Sequence, residues 1–189
     1  HRLTIVNDSE LETPTFAVFA VLPTRSPDDV LYPAWLTRQI DAGNRHDFTW
    51  DPVWSLAWAG VRPVVGHRWS PSGTLAVDPR SSTCRARFRH DGDSRMEPLT
   101  AMPNGTTVWV DNDPTIPLPS RAPSSLGIEL DGRPACVTRT GPNLRQTFTL
   151  RPTYLVDIGN YEPGELVDAT TASHFERLPF TPTTTAVVA

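Results

Sequence analysis

The sequence predicts an all-β fold: two antiparallel sheets packed as a β-sandwich, or a flattened barrel, with roughly nine to twelve short strands and little or no helix. Three observations support this prediction. Short apolar runs alternate with turn signals along the 189 residues, 20 prolines and 11 glycines are scattered between those runs, and no stretch has the apolar spacing of an amphipathic helix. The length fits one domain over residues 1–189, which can bury a core without disulfides or a metal.

The first predicted strands lie near the N-terminus. Leu3 to Asn7 and Phe16 to Leu22 predict two strands, and the second is expected to be central because it is almost continuously apolar. Residues 24–29 predict a turn or loop. The segment from Leu31 to Ile40 is compatible with a helical turn or with a strand, and Pro33 argues against a longer helix.

The next element is aromatic. Phe48, Trp50, Trp54, Leu56 and Trp58 all fall on one parity of a two-residue period, which predicts one strand with three tryptophans on one face. Each buried tryptophan covers about 150–250 Å². This face therefore either fills the core or forms the floor of an apolar cavity.

An arginine-rich strand follows an irregular segment between Gly60 and Gly73. Arg85, Arg87 and Arg89 alternate with apolar residues before a hairpin turn over residues 90–93. Three guanidinium groups on one face could hold a carboxylate or phosphate. Cross-strand pairing with acidic residues beyond the turn is the simpler use, and we favour it.

Further short apolar runs predict the remaining strands, with a proline-rich loop over residues 114–123 between the first two of them. In chain order they are Thr106 to Val110, Leu126 to Leu130, Ala135 to Thr138, Thr147 to Leu150, Tyr154 to Ile158, Leu166 to Val167 and Ala186 to Val188.

Composition excludes several classes of function. All 17 basic residues are arginine, so the chain offers no lysine for a Schiff base or a phosphate-binding P-loop. The formal net charge of −4 argues against nucleic acid or an anionic membrane as the main partner. No apolar run is long enough for a membrane span, so we expect a soluble protein, cytoplasmic, or secreted if a signal segment was removed before His1.

Motifs of metal and nucleophilic chemistry are also missing from the sequence. There is no Gly-x-Ser-x-Gly nucleophile motif, and the spacing of the five histidines is not that of metal ligands, so we expect no metal and no cofactor. Asp111 and Asp113 fit a turn better than a calcium loop. Cys84 and Cys136 either pair or remain buried thiols, and thiols are favoured.

Several motifs together resemble the RhiA-like family of bacterial proteins. The resemblance covers most of the chain from Leu3 onwards and implies the fold, but it brings no catalytic residues or cofactor to transfer. The motifs are Phe48-Thr-Trp50 with Trp54 and Trp58, Thr115-Ile-Pro117 leading to Leu126-Gly-Ile128, Gly141-Pro-Asn-Leu144 with Thr147-Phe148, and Pro152 to Tyr161 with Gly164 and Asp168.

The function predicted from these features is binding of a hydrophobic small molecule, a bacterial secondary metabolite, in an aromatic pocket. The expected lining is Trp35, Trp50, Trp54 and Trp58. An enzymatic version would cyclise or isomerise a polyketide-like substrate without a cofactor, with Tyr154, Asp157 and Glu162 as candidate catalytic residues. The alternative is a non-catalytic, secreted or surface-associated protein for interaction or adhesion, and a homo-oligomer is left open.

Overall fold

The structure is a computed structural model that describes residues 1–23, 30–121, 124–168 and 175–178. Within these ranges every regular element is a β-strand, and no helix is long and apolar enough to cross a membrane. The turn expected over residues 24–29, the strand expected from Ala186 to Val188 and His174 lie outside the described residues.

Sixteen strands make up the described part of the chain. They are β1 (Arg2–Val6), β2 (Thr15–Val21), β3 (Val30–Pro33), β4 (Leu36–Gln39), β5 (Arg45–Thr49), β6 (Trp54–Ala59), β7 (Gly73–Val77), β8 (Arg85–Asp91), β9 (Asp93–Leu99), β10 (Thr107–Asn112), β11 (Ser125–Leu130), β12 (Arg133–Arg139), β13 (Arg145–Thr149), β14 (Thr153–Ile158), β15 (Leu166–Val167) and β16 (Glu176–Leu178).

Hydrogen bonds join the described strands into four sheets. The largest has six strands in the order β15-β3-β12-β11-β6-β7. Two four-stranded sheets have the orders β13-β10-β8-β9 and β16-β14-β2-β4, and β1 pairs with β5. Pairing is antiparallel apart from β8 and β10, which run parallel. The sequence had predicted antiparallel sheets throughout.

The sheets enclose one large apolar core. In the six-stranded sheet, β3 and β12 contact β2, whereas β6 and β7 contact β9, so this sheet faces strands of both four-stranded sheets. Phe16, Phe19, Phe88 and Phe148 are fully buried members of this core. The all-β sandwich predicted from the sequence is confirmed.

Strand β8 confirms the predicted strand in which arginines alternate with apolar residues. Ala86 and Phe88 are fully buried, and the arginines alternate with them along the strand. The turn to β9 is made by Gly92 at φ 79°, a left-handed conformation that favours glycine. The predicted pairing with acidic residues beyond the turn is found for Arg89, whose guanidinium lies 3.6 Å from the Glu97 carboxylate. Arg85 pairs instead with Asp111 on β10, at 2.5 Å, which the sequence did not predict.

The prediction of one continuous tryptophan strand is wrong. Strand β5 ends at Thr49 and pairs with β1, whereas β6 begins at Trp54 and lies between β11 and β7. Between them the Val53 N–H donates to the Asp51 carbonyl at 2.8 Å, which closes a tight turn around Pro52. Proline cannot donate to a strand ladder, so it breaks the element at this point.

The strand count exceeds the predicted nine to twelve because short strands carry little sequence signal. The segment from Leu31 to Ile40, which the sequence allowed as a helical turn or a strand, forms β3 and β4 and no helical turn. Strand β7 begins at Gly73, where the six-membered ring of Trp58 would lie 2.3 Å from a Cβ atom. The Trp58 ring therefore requires glycine at position 73. In the sequence, the same glycine indicates irregular structure rather than the start of a strand.

Candidate functional site

Two of the predicted ligand-binding tryptophans belong to a buried aromatic cluster with Tyr154. Ring centroids of Trp35 and Trp50 are 5.2 Å apart, those of Trp50 and Tyr154 are 5.2 Å apart, and those of Trp35 and Tyr154 are 5.9 Å apart. The Trp35 Nε1–H donates to the Leu130 carbonyl at 3.1 Å. With 3% and 4% of their surfaces exposed, Trp35 and Trp50 serve mainly as core residues.

Trp54 lines a pocket of about 350 Å³ beside this cluster, named here the Trp54 pocket. Trp54 lies opposite Leu130 on β11 and Val77 on β7, and both partners line the same pocket. The walls are mostly apolar, and Asp78 and Arg80 supply the charged groups. The complete lining is Pro52, Val53, Trp54, Val77, Asp78, Pro79, Arg80, Gly105, Leu130, Leu150, Pro152 and Tyr154.

Tyr154 joins the aromatic cluster to the Trp54 pocket. Its hydroxyl accepts a hydrogen bond from the Trp50 Nε1–H at 3.2 Å. Burial raises the pKa of Tyr154 to about 12, and the hydrogen bond from Trp50 counteracts that rise only in part. The phenol is therefore neutral at physiological pH and is not an anionic base.

The remaining predicted tryptophan, Trp58, lies outside the Trp54 pocket. Its indole packs near Phe88, with ring centroids 6.4 Å apart, and its Nε1–H donates to the Ser94 carbonyl at 3.1 Å. Together with the close approach to Gly73, these contacts give Trp58 a structural role between β7 and the β8–β9 hairpin.

The two predicted carboxylates do not line the Trp54 pocket. Asp157 lies three positions after Tyr154 on β14, so the two side chains point to opposite faces of the sheet. Its carboxylate accepts from the Tyr161 hydroxyl at 2.6 Å and from the Ile158 N–H at 2.8 Å. Glu162 is exposed in the following turn.

A different carboxyl group, missed by the sequence reasoning, is buried in a second pocket. This pocket, named here the Glu129 pocket, measures about 550 Å³. Glu129 is only 6% exposed, and its carboxyl makes no hydrogen bond or ion pair with any residue that the structure describes. Burial raises its pKa above the usual range.

The two pockets lie on opposite faces of β11. Leu130 points to the Trp54 pocket, and its neighbour Glu129 points to the other side. The register between β11 and β12 shifts after Ile128, because Ile128 lies opposite Cys136 whereas Glu129 lies opposite Pro134. The extra residue of this β-bulge is Ala135 on β12, whereas β11 keeps a regular register with β6.

Trp69 covers the Glu129 face of the strand. Its Nε1–H donates to the Ser125 hydroxyl at 2.9 Å, and its ring packs over Gly127, where a Cβ would lie 3.1 Å from the ring. The sequence did contain one signal for this site, because Glu129 is an acidic residue inside the apolar run from Leu126 to Leu130. Buried unpaired charges are costly, so such a residue calls for an explanation.

The two cysteines do not form a disulfide. Both are free and buried, which agrees with the favoured prediction, and burial raises the pKa of the Cys136 thiol to about 12. Among the described residues no three His, Cys, Asp or Glu side chains are grouped so that they could hold a metal ion.

Comparison with known proteins identifies one family. The family model described as RhiA matches residues 1–189. The curated Protein RhiA of Rhizobium leguminosarum bv. viciae is 27% identical to the chain over 148 residues, which are 77% of this chain and 62% of that protein. The matched part thus spans less than two thirds of the relative, and no solved structure matches the chain.

Proposed function

The chain belongs to the RhiA family, and from this premise we propose that it binds a hydrophobic small molecule, a bacterial secondary metabolite, in the Trp54 pocket. The observation that carries the proposal is an apolar pocket of about 350 Å³ whose wall includes Trp54 and Tyr154. Ligand pockets typically measure about 300–1,000 Å³ and combine apolar walls with a few polar groups.

The polar groups of this pocket suit a ligand with one or two oxygen atoms. Tyr154 is a neutral phenol in a mostly apolar wall, and Asp78 and Arg80 add charged groups to the lining. An apolar ligand would gain about 25 cal/mol per Å² of surface that it buries. One hydrogen bond from Tyr154 would fix its orientation.

An enzymatic version of the proposal is a cofactor-free cyclisation or isomerisation of a polyketide-like substrate. Both reactions leave the oxidation state of the substrate unchanged, so shape and orientation in the pocket can lower the barrier. In this version Tyr154 is the hydrogen-bond donor to a substrate oxygen. Asp157 and Glu162 have no part in it, because neither lines the Trp54 pocket.

The experiment compares ligand-induced stabilisation of the wild type, Trp54→Phe and Trp58→Phe. The probes are geraniol, farnesol and naphthalene, and the readout is the thermal unfolding midpoint. We expect a rise for at least one probe in the wild type and in Trp58→Phe, and a smaller rise in Trp54→Phe. Equal rises in both variants would refute the Trp54 pocket, and a response to no probe would refute apolar binding there.

A non-catalytic interaction or adhesion protein is the second candidate. One observation favours it: Val61, Val64 and Val65 are 51%, 43% and 54% exposed on the loop between β6 and β7. Exposed apolar groups on one loop are typical of a contact surface. Concentration-dependent association that Val65→Ser abolishes, together with no response to the apolar probes, would favour this function.

A further inference from the structure

We propose that the Glu129 pocket is a second binding site, for a small zwitterion whose ammonium group pairs with Glu129 and whose carboxylate group contacts Arg38 and Arg68. This site is separate from the Trp54 pocket on the other face of β11. The proposal goes beyond the proposed function, and either can fail without the other.

Glu129 is a buried acidic residue without a protein partner. The residue is more than nine-tenths buried and lines the pocket, and its carboxyl has no hydrogen-bond or ion-pair partner among the described residues. Buried charges in proteins are paired, because removing an ion from water costs several kcal/mol unless another charge compensates it. An ammonium group in the pocket supplies the missing charge and up to three hydrogen-bond donors.

The fold does not need a carboxyl at this position. Leu126, Ile128 and Leu130, on the other face of β11, are fully buried in the core. The main chain of β11 is held between β12 and β6 by strand pairing. A glutamate on the Glu129 face adds a desolvation cost to this strand without a compensating contact from the described protein.

The pocket that contains the carboxyl has an aromatic lining. Trp35, Phe48 and Trp69 all line the Glu129 pocket. Aromatic rings attract organic cations and also accept the apolar part of a ligand. An aromatic pocket with one carboxylate is therefore suited to an organic ammonium group rather than to a metal ion, which prefers several oxygen ligands.

Positive charge lies at the outside of the pocket. Arg38 and Arg68 line the pocket, are exposed, and form no ion pair within the described part of the chain. Arg133, the third arginine of the lining, is instead held by Asp131 at 3.0 Å. Two available guanidinium groups match the planar geometry of a carboxylate.

The buried carboxyl of Glu129 and the exposed guanidinium groups of Arg38 and Arg68 carry opposite charges, so the pocket favours a ligand that carries a positive and a negative group. A simple cation would pass exposed arginines and leave them unpaired, and a simple anion would leave the carboxyl of Glu129 unpaired. An amino acid with an apolar side chain satisfies both ends and places its side chain on the aromatic lining. Matching of both ends is expected to favour the zwitterion, because the ammonium pairs with the buried Glu129 and the carboxylate adds charge-assisted hydrogen bonds to the exposed arginines.

The experiment uses three probes that share one ring: tryptophan carries both charges, tryptamine only the ammonium, and indole-3-propionate only the carboxylate. Phenylalanine, phenethylamine and 3-phenylpropionate form a second, smaller set. Calorimetry on the wild type is expected to give at least about tenfold tighter binding for the amino acid than for either analogue of its set. Binding by the anionic probes alone, or no binding by either amino acid, would overturn the proposal.

Variants then locate the site. Glu129→Gln and the double variant Arg38→Gln/Arg68→Gln are each expected to weaken amino acid binding at least about tenfold. Arg133→Gln is the matched control, since its guanidinium is already paired, and Trp54→Phe tests independence from the other pocket. Unchanged binding in the double variant, whose substitutions are exposed and leave the core intact, would overturn the proposal even if Glu129→Gln failed to fold.

Discussion

The close approach of Trp69 to β11 can be tested by Gly127→Ala. A Cβ at this position would lie 2.7 Å from the Cys136 carbonyl oxygen and 3.1 Å from the Trp69 ring. The carbonyl belongs to the neighbouring strand, so it cannot move without disturbing the ladder between β11 and β12. Gly127 is therefore expected to be intolerant of even one methyl group.

The magnitude follows from two opposing terms. Overpacking a core typically costs about 1–3 kcal/mol, and the upper half applies here because the nearest atom is main chain. Replacing glycine by alanine also restricts the unfolded chain, which returns about 0.4–1 kcal/mol. The net loss in the free energy of unfolding is about 1–2.5 kcal/mol, which lowers Tm by about 2–10 °C for a chain of this size.

The assay is urea unfolding followed by tryptophan fluorescence, with thermal unfolding as a second measurement. Gly60→Ala is the matched control, because nothing lies within 4 Å of a Cβ at that exposed position. We expect the control to be unchanged or slightly stabilised. If Gly127→Ala were as stable as Gly60→Ala, the close contact between β11, β12 and Trp69 would be refuted.

Three further predictions concern ionisable groups. Glu129→Gln removes a carboxyl whose pKa in the folded protein is raised by burial. The free energy of unfolding of the wild type must therefore fall as pH rises from the unfolded pKa to the folded one, so the variant gains stability relative to the wild type over that range. Urea titrations at several pH values measure this, and parallel pH profiles of the two proteins would contradict it. For Asp111, burial raises the pKa but the hydrogen bonds from Arg145 and Arg85 outweigh it and lower the pKa overall; Asp111→Asn is expected to lose about 1 kcal/mol at neutral pH. That loss vanishes as pH falls through the folded pKa, and a loss of equal size in acid would contradict the pairing. The Cys136 thiol, with its pKa raised to about 12 by burial, is expected to react with a disulfide reagent only after unfolding, and prompt labelling of the folded protein would contradict its burial.

Much of the fold could be predicted because alternation is a local property. The strand from Arg85 to Asp91 shows inward Ala86 and Phe88 between outward arginines in both sequence and structure. Strands β2, β11 and β14 were placed to within about one residue, since each is an apolar run bounded by turn residues. The family resemblance, confirmed over residues 1–189, rests on motifs in the same order along the chain.

The sites depended on contacts that no local pattern encodes. Trp50 and Trp54 share a parity in the sequence, but the turn at Pro52 places one in the aromatic cluster and the other against a pocket. Trp35 and Tyr154 meet although they are far apart in the chain.

The sequence by itself determined the fold class and the family, because these follow from period-two alternation, proline and glycine chemistry, and ordered motifs. Only the tertiary structure decided which tryptophans pack in the core and that Glu129 is buried, with no partner for its carboxyl among the described residues. The physical reason is that burial and pairing depend on sheet register, including the bulge at Ala135 of β12, and on the position of Trp69, all of which are set by contacts between strands.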